Sequence, residues 1–405
     1  MNYCNILHRA KIEIMNFINQ QFIKNADGFY ITGHLSNGPR CFIRRGMARP
    51  GAQEFTRLLG KAINIMTILL CLVVTSDGIG QPVVTQKKFF KEDDLITMTL
   101  VSDFKKLVSE KLKKADLQKY QPATITCIFA DGSKLTEEIQ VKARGQFRRS
   151  ECYIPPLMVN FKTDKAVGLK KLGHLKLVWP CAANYVNEQL VLKEYLVYKM
   201  YNLLTQKSFR VRLVKITYQD IEKRIKSRTQ FAFFIEDVEA MAKRNDCMEV
   251  KDQSFHTERT DRKLTTIVAL FEYMIGNTDW AVPIYRNVKL MRSENDSSQW
   301  PFVVPYDFDY CGLVNAGYAI PIPELNINSV RERLYRGFPR TMEELQEALQ
   351  IFLTQRKAMD SLISNFEPLL PGHRKEMLKY LDAFFNIISD EKDVKRIFID
   401  GAKFE

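Results

Sequence analysis

From residue 95 onward the apolar positions come in short runs, at 95–101 (LITMTLV), 123–129 (ATITCIF), about 138–143, 157–161 and 174–179. The first two are rich in β-branched residues, and all five read as strands. Asp131-Gly132 is a hairpin turn signal between the second and third runs. Between the first two, residues 103–114 switch to helical spacing, with Asp103 placed to cap the helix. Residues 187–204 predict a long amphipathic helix whose Leu190, Leu192, Tyr195, Leu196, Tyr198 and Met200 suit packing on a sheet. Two further strands are expected at 210–217 and 230–235. Beyond Glu236 the spacing is helical, at 263–275, 342–354, 356–366, 374–388 and 390–398. Short strands at 287–291 and 302–304 interrupt it, and Pro368 and Pro371-Gly372 mark breaks.

This order predicts an α+β chain of two lobes, a β-rich one over 82–236 and a mainly helical one over 237–405. Glu236 would stand at the hinge, where backbone groups of 234–238 could meet an adenine edge. Residues 62–74 (AINIMTILLCLVV) form a long uncharged apolar run. It falls short of the ~20 residues a membrane-spanning helix needs, so no stable span is expected. Arg57 and Lys61 precede it and small residues follow, which is the layout of a secretory signal. The expectation is a signal peptide over 47–80 beginning at Met47, with 1–46 an over-extended N-terminus. The protein would then be secreted, periplasmic or held at the cell surface.

Sixty basic against 47 acidic side chains give a net charge of +13, which favours anionic partners. The basic residues are scattered, with no arginine-rich stripe, so nucleic acid is not an expected partner. None of the eight cysteines stands in a C-x-x-C pair, which argues against a zinc ribbon or a thioredoxin-type centre. No G-x-S-x-G occurs, so a serine hydrolase elbow is not indicated.

Candidate chemistry gathers at Gly276-Asn277-Thr278-Asp279-Trp280, Asn287 and Tyr306-Asp307-Phe308-Asp309. Gly276 suits the end of the 263–275 helix and would release Asp279 into a loop. Asn287 opens one short strand, and the other delivers Asp307 and Asp309. Phosphoryl transfer needs hard oxygen ligands for Mg²⁺ and a separate carboxylate to receive the acceptor's proton. Asp279 is therefore expected as catalytic base, with Asn287, Asp307 and Asp309 as metal ligands.

These motifs resemble the spore coat protein H (CotH) kinase family. Upstream, Lys142-Ala143-Arg144-Gly145, the Leu169–Leu177 region and Phe233-Phe234-Ile235-Glu236 are similar to that family's strands. The resemblance covers roughly residues 135–315. It implies a protein-kinase-like fold and ATP-dependent transfer to a protein or other hydroxyl acceptor, with ATP and Mg²⁺ as cofactors. It puts Arg144-Gly145 near a phosphate cover, since no G-x-G-x-x-G exists. The phosphate-binding lysine is open among Lys142, Lys162 and Lys176, with Lys176 favoured because it could pair with Glu194 or Glu188 on the long helix. Glu236 joins this nucleotide set. Asp279 and Asn287 stand eight residues apart where a kinase catalytic loop has five. The alternatives are a pseudokinase-like binding module without turnover, or a Ca²⁺-binding cell-surface interaction protein.

Overall fold

A computed structural model describes residues 83–402 apart from 113–118, 146, 182–184, 252–253 and 297. The expected over-extended N-terminus and signal peptide lie outside the described residues. No helix among the described residues is long and apolar enough to cross a membrane.

The chain opens with a short helix, α1 (Gln86–Phe89), and strand β1 (Ile96–Ser102). Asp103 caps α2 (Phe104–Glu110) through its side chain, as the spacing predicts. Then come β2 (Gln121–Ile128), β3 (Lys134–Ala143), α3 (Phe147–Glu151), β4 (Leu157–Asn160) and β5 (His174–Val178). The long helix α4 (Tyr185–Leu204) leads to β6 (Val211–Asp220) and β7 (Arg228–Ile235). These strands form a closed barrel in the order β1-β2-β3-β4-β5-β7-β6. Every pairing is antiparallel except the closing one, where β1 and β6 run parallel with Leu100 opposite Tyr218.

The second part holds α5 (Val238–Arg244), β8 (Cys247–Val250), α6 (Arg262–Ile275), β9 (Val288–Ser293) and β10 (Phe302–Pro305). It continues with α7 (Met342–Ser364), α8 (Pro371–Ile388) and α9 (Glu391–Lys395). Strands β10, β9 and β8 make a small antiparallel sheet. Residues 342–364 form one helix where the spacing suggests two. Thr341 and Glu344 start it with a capping box, and no proline or glycine follows to break it.

The two-lobed kinase-like fold expected from the sequence is not the one observed. Pairing of β1 with β6 closes the first seven strands into a barrel, which leaves no open N-lobe sheet. Nor do helices and barrel stand apart. Inside the barrel lie Leu100, Ile125, Val141, Val159, Leu177 and Phe234. A second core runs from its outer wall (Val178, Val211, Phe233) through α4 into Phe271, Phe308, Phe352 and Phe384. Alternation along each strand sends one set of side chains into each core. The overall class is still α+β.

Candidate active site

Helix α6 is buried on nearly every side and ends at Gly276, whose φ of 69° is left-handed. A Cβ there would stand 2.2 Å from the Tyr380 hydroxyl, so glycine is required for conformation and for space. The loop that follows is fixed on both sides of Asp279. Asn277 Oδ1 accepts the Asp279 N–H at 3.0 Å, and Arg336 Nη1 donates to the Thr278 and Trp280 carbonyls at 2.6 Å each. Trp280 is buried beneath.

The eight-residue separation of Asp279 and Asn287 has a local explanation. Ala281 and Arg286 exchange both backbone hydrogen bonds, so the residues between them form a small hairpin. It returns the chain to its starting point, and Asn287 Nδ2 donates to the Asp279 carbonyl at 2.7 Å and to Asp279 Oδ2 at 2.9 Å. Arg286 Nε pairs with Asp279 Oδ1. Sequence reasoning did not find Arg286, although its place beside Asn287 was a signal.

Strand pairing carries the site onward. Pro305 stands opposite Val288, and the Tyr306 N–H donates to the Asn287 carbonyl at 2.9 Å. Asn287 and Asp307 therefore leave the same end of the β9–β10 ladder, and both have left-handed backbones, with φ of 51° and 66°. Asn and Asp adopt that region more readily than other side chains, so both residue types suit the turns at this end of the ladder. The Asp307 N–H donates to the Tyr198 hydroxyl of α4 at 2.8 Å. Phe308 locks the turn against Tyr198 and Phe271. Asp307 itself is exposed, whereas Asp309, two residues on, is buried.

Around these acids stands a ring of cations from the barrel. Arg148 of α3 reaches Glu194 at 3.6 Å and Asp309 at 3.9 Å while donating to the Trp179 carbonyl at 2.6 Å. The disulfide between Cys152 and Cys181 ties α3 to the segment after β5, and the Cys152 N–H bonds the Arg148 carbonyl. Arg148 is four residues past Arg144, in the basic run Arg148-Arg149 that the sequence shows. Tyr318 donates to Asp309 Oδ2 at 2.9 Å. Burial raises the Asp309 carboxyl to about 6, and the Asp307 charge adds to this while Arg148 and Tyr318 oppose it; Asp279 contributes in the same sense as Asp307. Burial, then Asp309, holds the Glu194 carboxyl well above its ordinary range.

Lys176, on β5, has its ammonium 4.9 Å from the Tyr306 ring centre. Burial lowers it to about 8; neighbouring Arg144 lowers it further and Asp307 raises it. Arg144 also interacts electrostatically with Asp307. Asp279, Asn287, Asp307, Asp309, Lys176, Arg144 and Glu194 are thus brought into one connected cluster. The expected Lys176–Glu194 pairing is not formed, because Glu194 turns to Arg148. Glu188 accepts from the Phe231 N–H at 2.7 Å instead.

Two residues stay outside the cluster. Glu236 is buried, with its carboxylate held by Arg244 and by the Arg210 N–H. Its own N–H bonds the Arg210 carbonyl, so it is committed to the wall of the barrel. Lys162 is exposed next to Gly173 and His174. Beneath the Asp279 loop lies Glu272, buried in α6, whose carboxyl burial pushes up to about 8.

Among the described residues, no group of three or more His, Cys, Asp or Glu side chains stands ready to hold a metal ion. Compared with models of known protein families the chain matches none, and it matches no curated protein.

Proposed function

We propose that the chain is an exported phosphotransferase that moves the terminal phosphoryl group of ATP to a protein or other hydroxyl acceptor. The observation that carries this reading is the Asp279–Asn287–Asp307 corner. The Asn287 carboxamide is hydrogen-bonded to Asp279, its backbone carbonyl takes the Tyr306 N–H next to Asp307, and Lys176 and Arg144 act electrostatically on Asp307. Hard oxygens next to fixed cations are what a polyphosphate and its counter-ion require.

Asp307 and Asp309, with the Asn287 carboxamide, would hold Mg²⁺, which when bound would neutralise charge on the reacting phosphates. Lys176 and Arg144 would orient the phosphates and screen their charge. Asp279 has its buried Oδ1 on Arg286 and its Oδ2 on Asn287, and Oδ2 keeps a second lone pair. It would orient the acceptor hydroxyl and take its proton. Arg148, with Glu194, would keep Asp309 in place. Export is supported by the Cys152–Cys181 disulfide, a bond that persists in oxidising compartments.

A second reading is a nucleotide-binding module without turnover. It is favoured by one observation, that Glu194 pairs with Arg148 and not with Lys176. Thermal shift with Mg²⁺ plus ATP, ATP alone and Ca²⁺ alone tests the proposal, because a ligand at a hundredfold excess over its Kd adds about 2.7 kcal/mol. Stabilisation by Mg²⁺ plus ATP, lost in Asp307→Asn, is the expected result. Stabilisation by Ca²⁺ alone, or by nothing, refutes it. Binding without phosphate transfer selects the second reading.

A further inference from the structure

A different part of the barrel carries an independent site. Arg212 follows Val211 on β6, and alternation sends it inward with Val214 and Ile216, whose side chains belong to the barrel core. Its strand partner is Phe234, also inside. Lys176 and Val211 flank Ile235 from the two strands on either side of β7, and Leu175 and Leu177, the strand neighbours of Lys176, are turned into the barrel. Arg212 and the phosphotransferase cluster thus occupy opposite faces of one wall.

Arg212 is 2% exposed, yet its Nε and Nη1 have no hydrogen-bond partner. A guanidinium buried with unpaired N–H groups is costly and calls for an acceptor. It lines a cavity of about 300 Å³, within the range of small-molecule sites, and barrel mouths are a favoured place for them. The apolar walls are Val84, Phe89, Ile96 and Phe129, and the Phe89 ring lies 5.8 Å from the guanidinium carbon. Three carboxylates line the same cavity. Glu92 pairs with Lys88 at 4.0 Å, and Asp131 accepts from the Ser133 N–H. Asp94 makes neither a hydrogen bond nor an ion pair among the described residues, although it lies near enough to act electrostatically on Arg212.

We propose that this barrel mouth binds an apolar α-amino acid, with its carboxylate on Arg212, its ammonium on Asp94 and its side chain against Phe89 and Phe129. A buried unpaired cation and an exposed unpaired anion lining one cavity of mixed apolar and charged walls match a zwitterion. A ligand carrying only one of the two charges leaves the other group unanswered.

The test is calorimetric titration of the full chain with L-phenylalanine, 3-phenylpropionate and phenethylamine. Saturable binding of L-phenylalanine is expected, at least tenfold tighter than either singly charged analogue. Arg212→Met and Asp94→Asn should each weaken it at least tenfold. Because Arg212 is buried and its replacement can unfold the barrel, Ala130→Trp provides a second arm. Ala130 is exposed at the β2–β3 turn and lines the mouth, so the indole fills the cavity from outside and should abolish binding in a folded protein. No saturable heat at about 10 mM, tenfold above a millimolar Kd, overturns the proposal. So does binding that survives Ala130→Trp, or equal binding of 3-phenylpropionate.

Discussion

Replacing Asp279 by asparagine separates the role of a base from that of a scaffold. The substitution keeps the shape of the side chain and removes its charge. What it loses structurally can be bounded. The Arg286 partner is half exposed, and such ion pairs contribute about 0–1 kcal/mol. The new amide oxygen can still accept from Asn287, so that hydrogen bond survives. At about 2.1 cal/mol/K per residue, 1 kcal/mol corresponds to roughly 1 °C in a chain of 405 residues, so the melting temperature should move by no more than about 2 °C. Affinity for Mg²⁺ and ATP should change little, because Asp307, Lys176 and Arg144 are untouched. Transfer should fall by about 10²- to 10⁴-fold, the usual worth of a positioned base. At about 1.4 kcal/mol per decade this raises the barrier by roughly 3–5.5 kcal/mol. With the acceptor unidentified, the assay follows ³²P from the γ-position of ATP into the protein itself and into inorganic phosphate, beside a calorimetric titration of nucleotide. Transfer retained within tenfold of the parent rate refutes the base assignment. Nucleotide affinity that falls in step with transfer would show Asp279 to be part of the binding site instead.

Three further outcomes follow from the geometry. The Asp309 carboxyl holds its proton to about pH 6 when folded, against an ordinary 3.8, so its share of stability is present at low pH and declines by at most about 3 kcal/mol as pH rises through that interval. Transfer should instead rise through pH 6 as Asp309 ionises, and nucleotide affinity should weaken above about pH 8 as Lys176 loses its charge; a transfer profile flat from pH 5 to 9 counts against both residues. Gly276→Ala meets the Tyr380 hydroxyl and a left-handed backbone together, so it should cost at least about 2 kcal/mol in denaturant unfolding and depress transfer through the Asp279 loop; a neutral effect would contradict the described loop. Reduction of Cys152–Cys181 reopens a loop of 29 residues, for which the chain-entropy treatment gives about 3–4 kcal/mol, and a melting temperature unmoved by reductant would show that the bond does not constrain the unfolded chain.

Local elements were legible in the sequence wherever one physical rule dominated. Short β-type runs and the Asp131-Gly132 turn located the barrel strands, Asp103 located a cap, and Gly276 located the end of α6. Barrel closure was not legible, because it depends on β1 pairing in parallel with β6 across more than a hundred residues. Alternation specifies which face of a strand is buried, and that face reads the same in an open sheet and in a closed barrel. The short β8 was missed for another reason. Four residues with two partly buried and one exposed carry too little pattern to stand out.

The site divides along the same line. Asp279, Asn287 and Asp307 sit at the ends of elements, where turn chemistry shows in the residue types themselves. The partners that set their charge come from elsewhere in the chain. Arg148 reaches Asp309 across 161 positions of sequence, and Tyr198 meets Asp307 across 109. Lys176 and Glu194 show why proximity on paper misleads. They are 18 residues apart on adjacent elements, and their charges would match. Yet Glu194 lies deep against α3, where Arg148 already answers it, while Lys176 leans over Tyr306 towards Asp307. Burial decides the outcome. A carboxyl removed from water is held towards its protonated form, and Glu194 sits 3.6 Å from the Arg148 guanidinium with its Oε1 lacking a hydrogen-bond partner, while Lys176 stays over the Tyr306 ring.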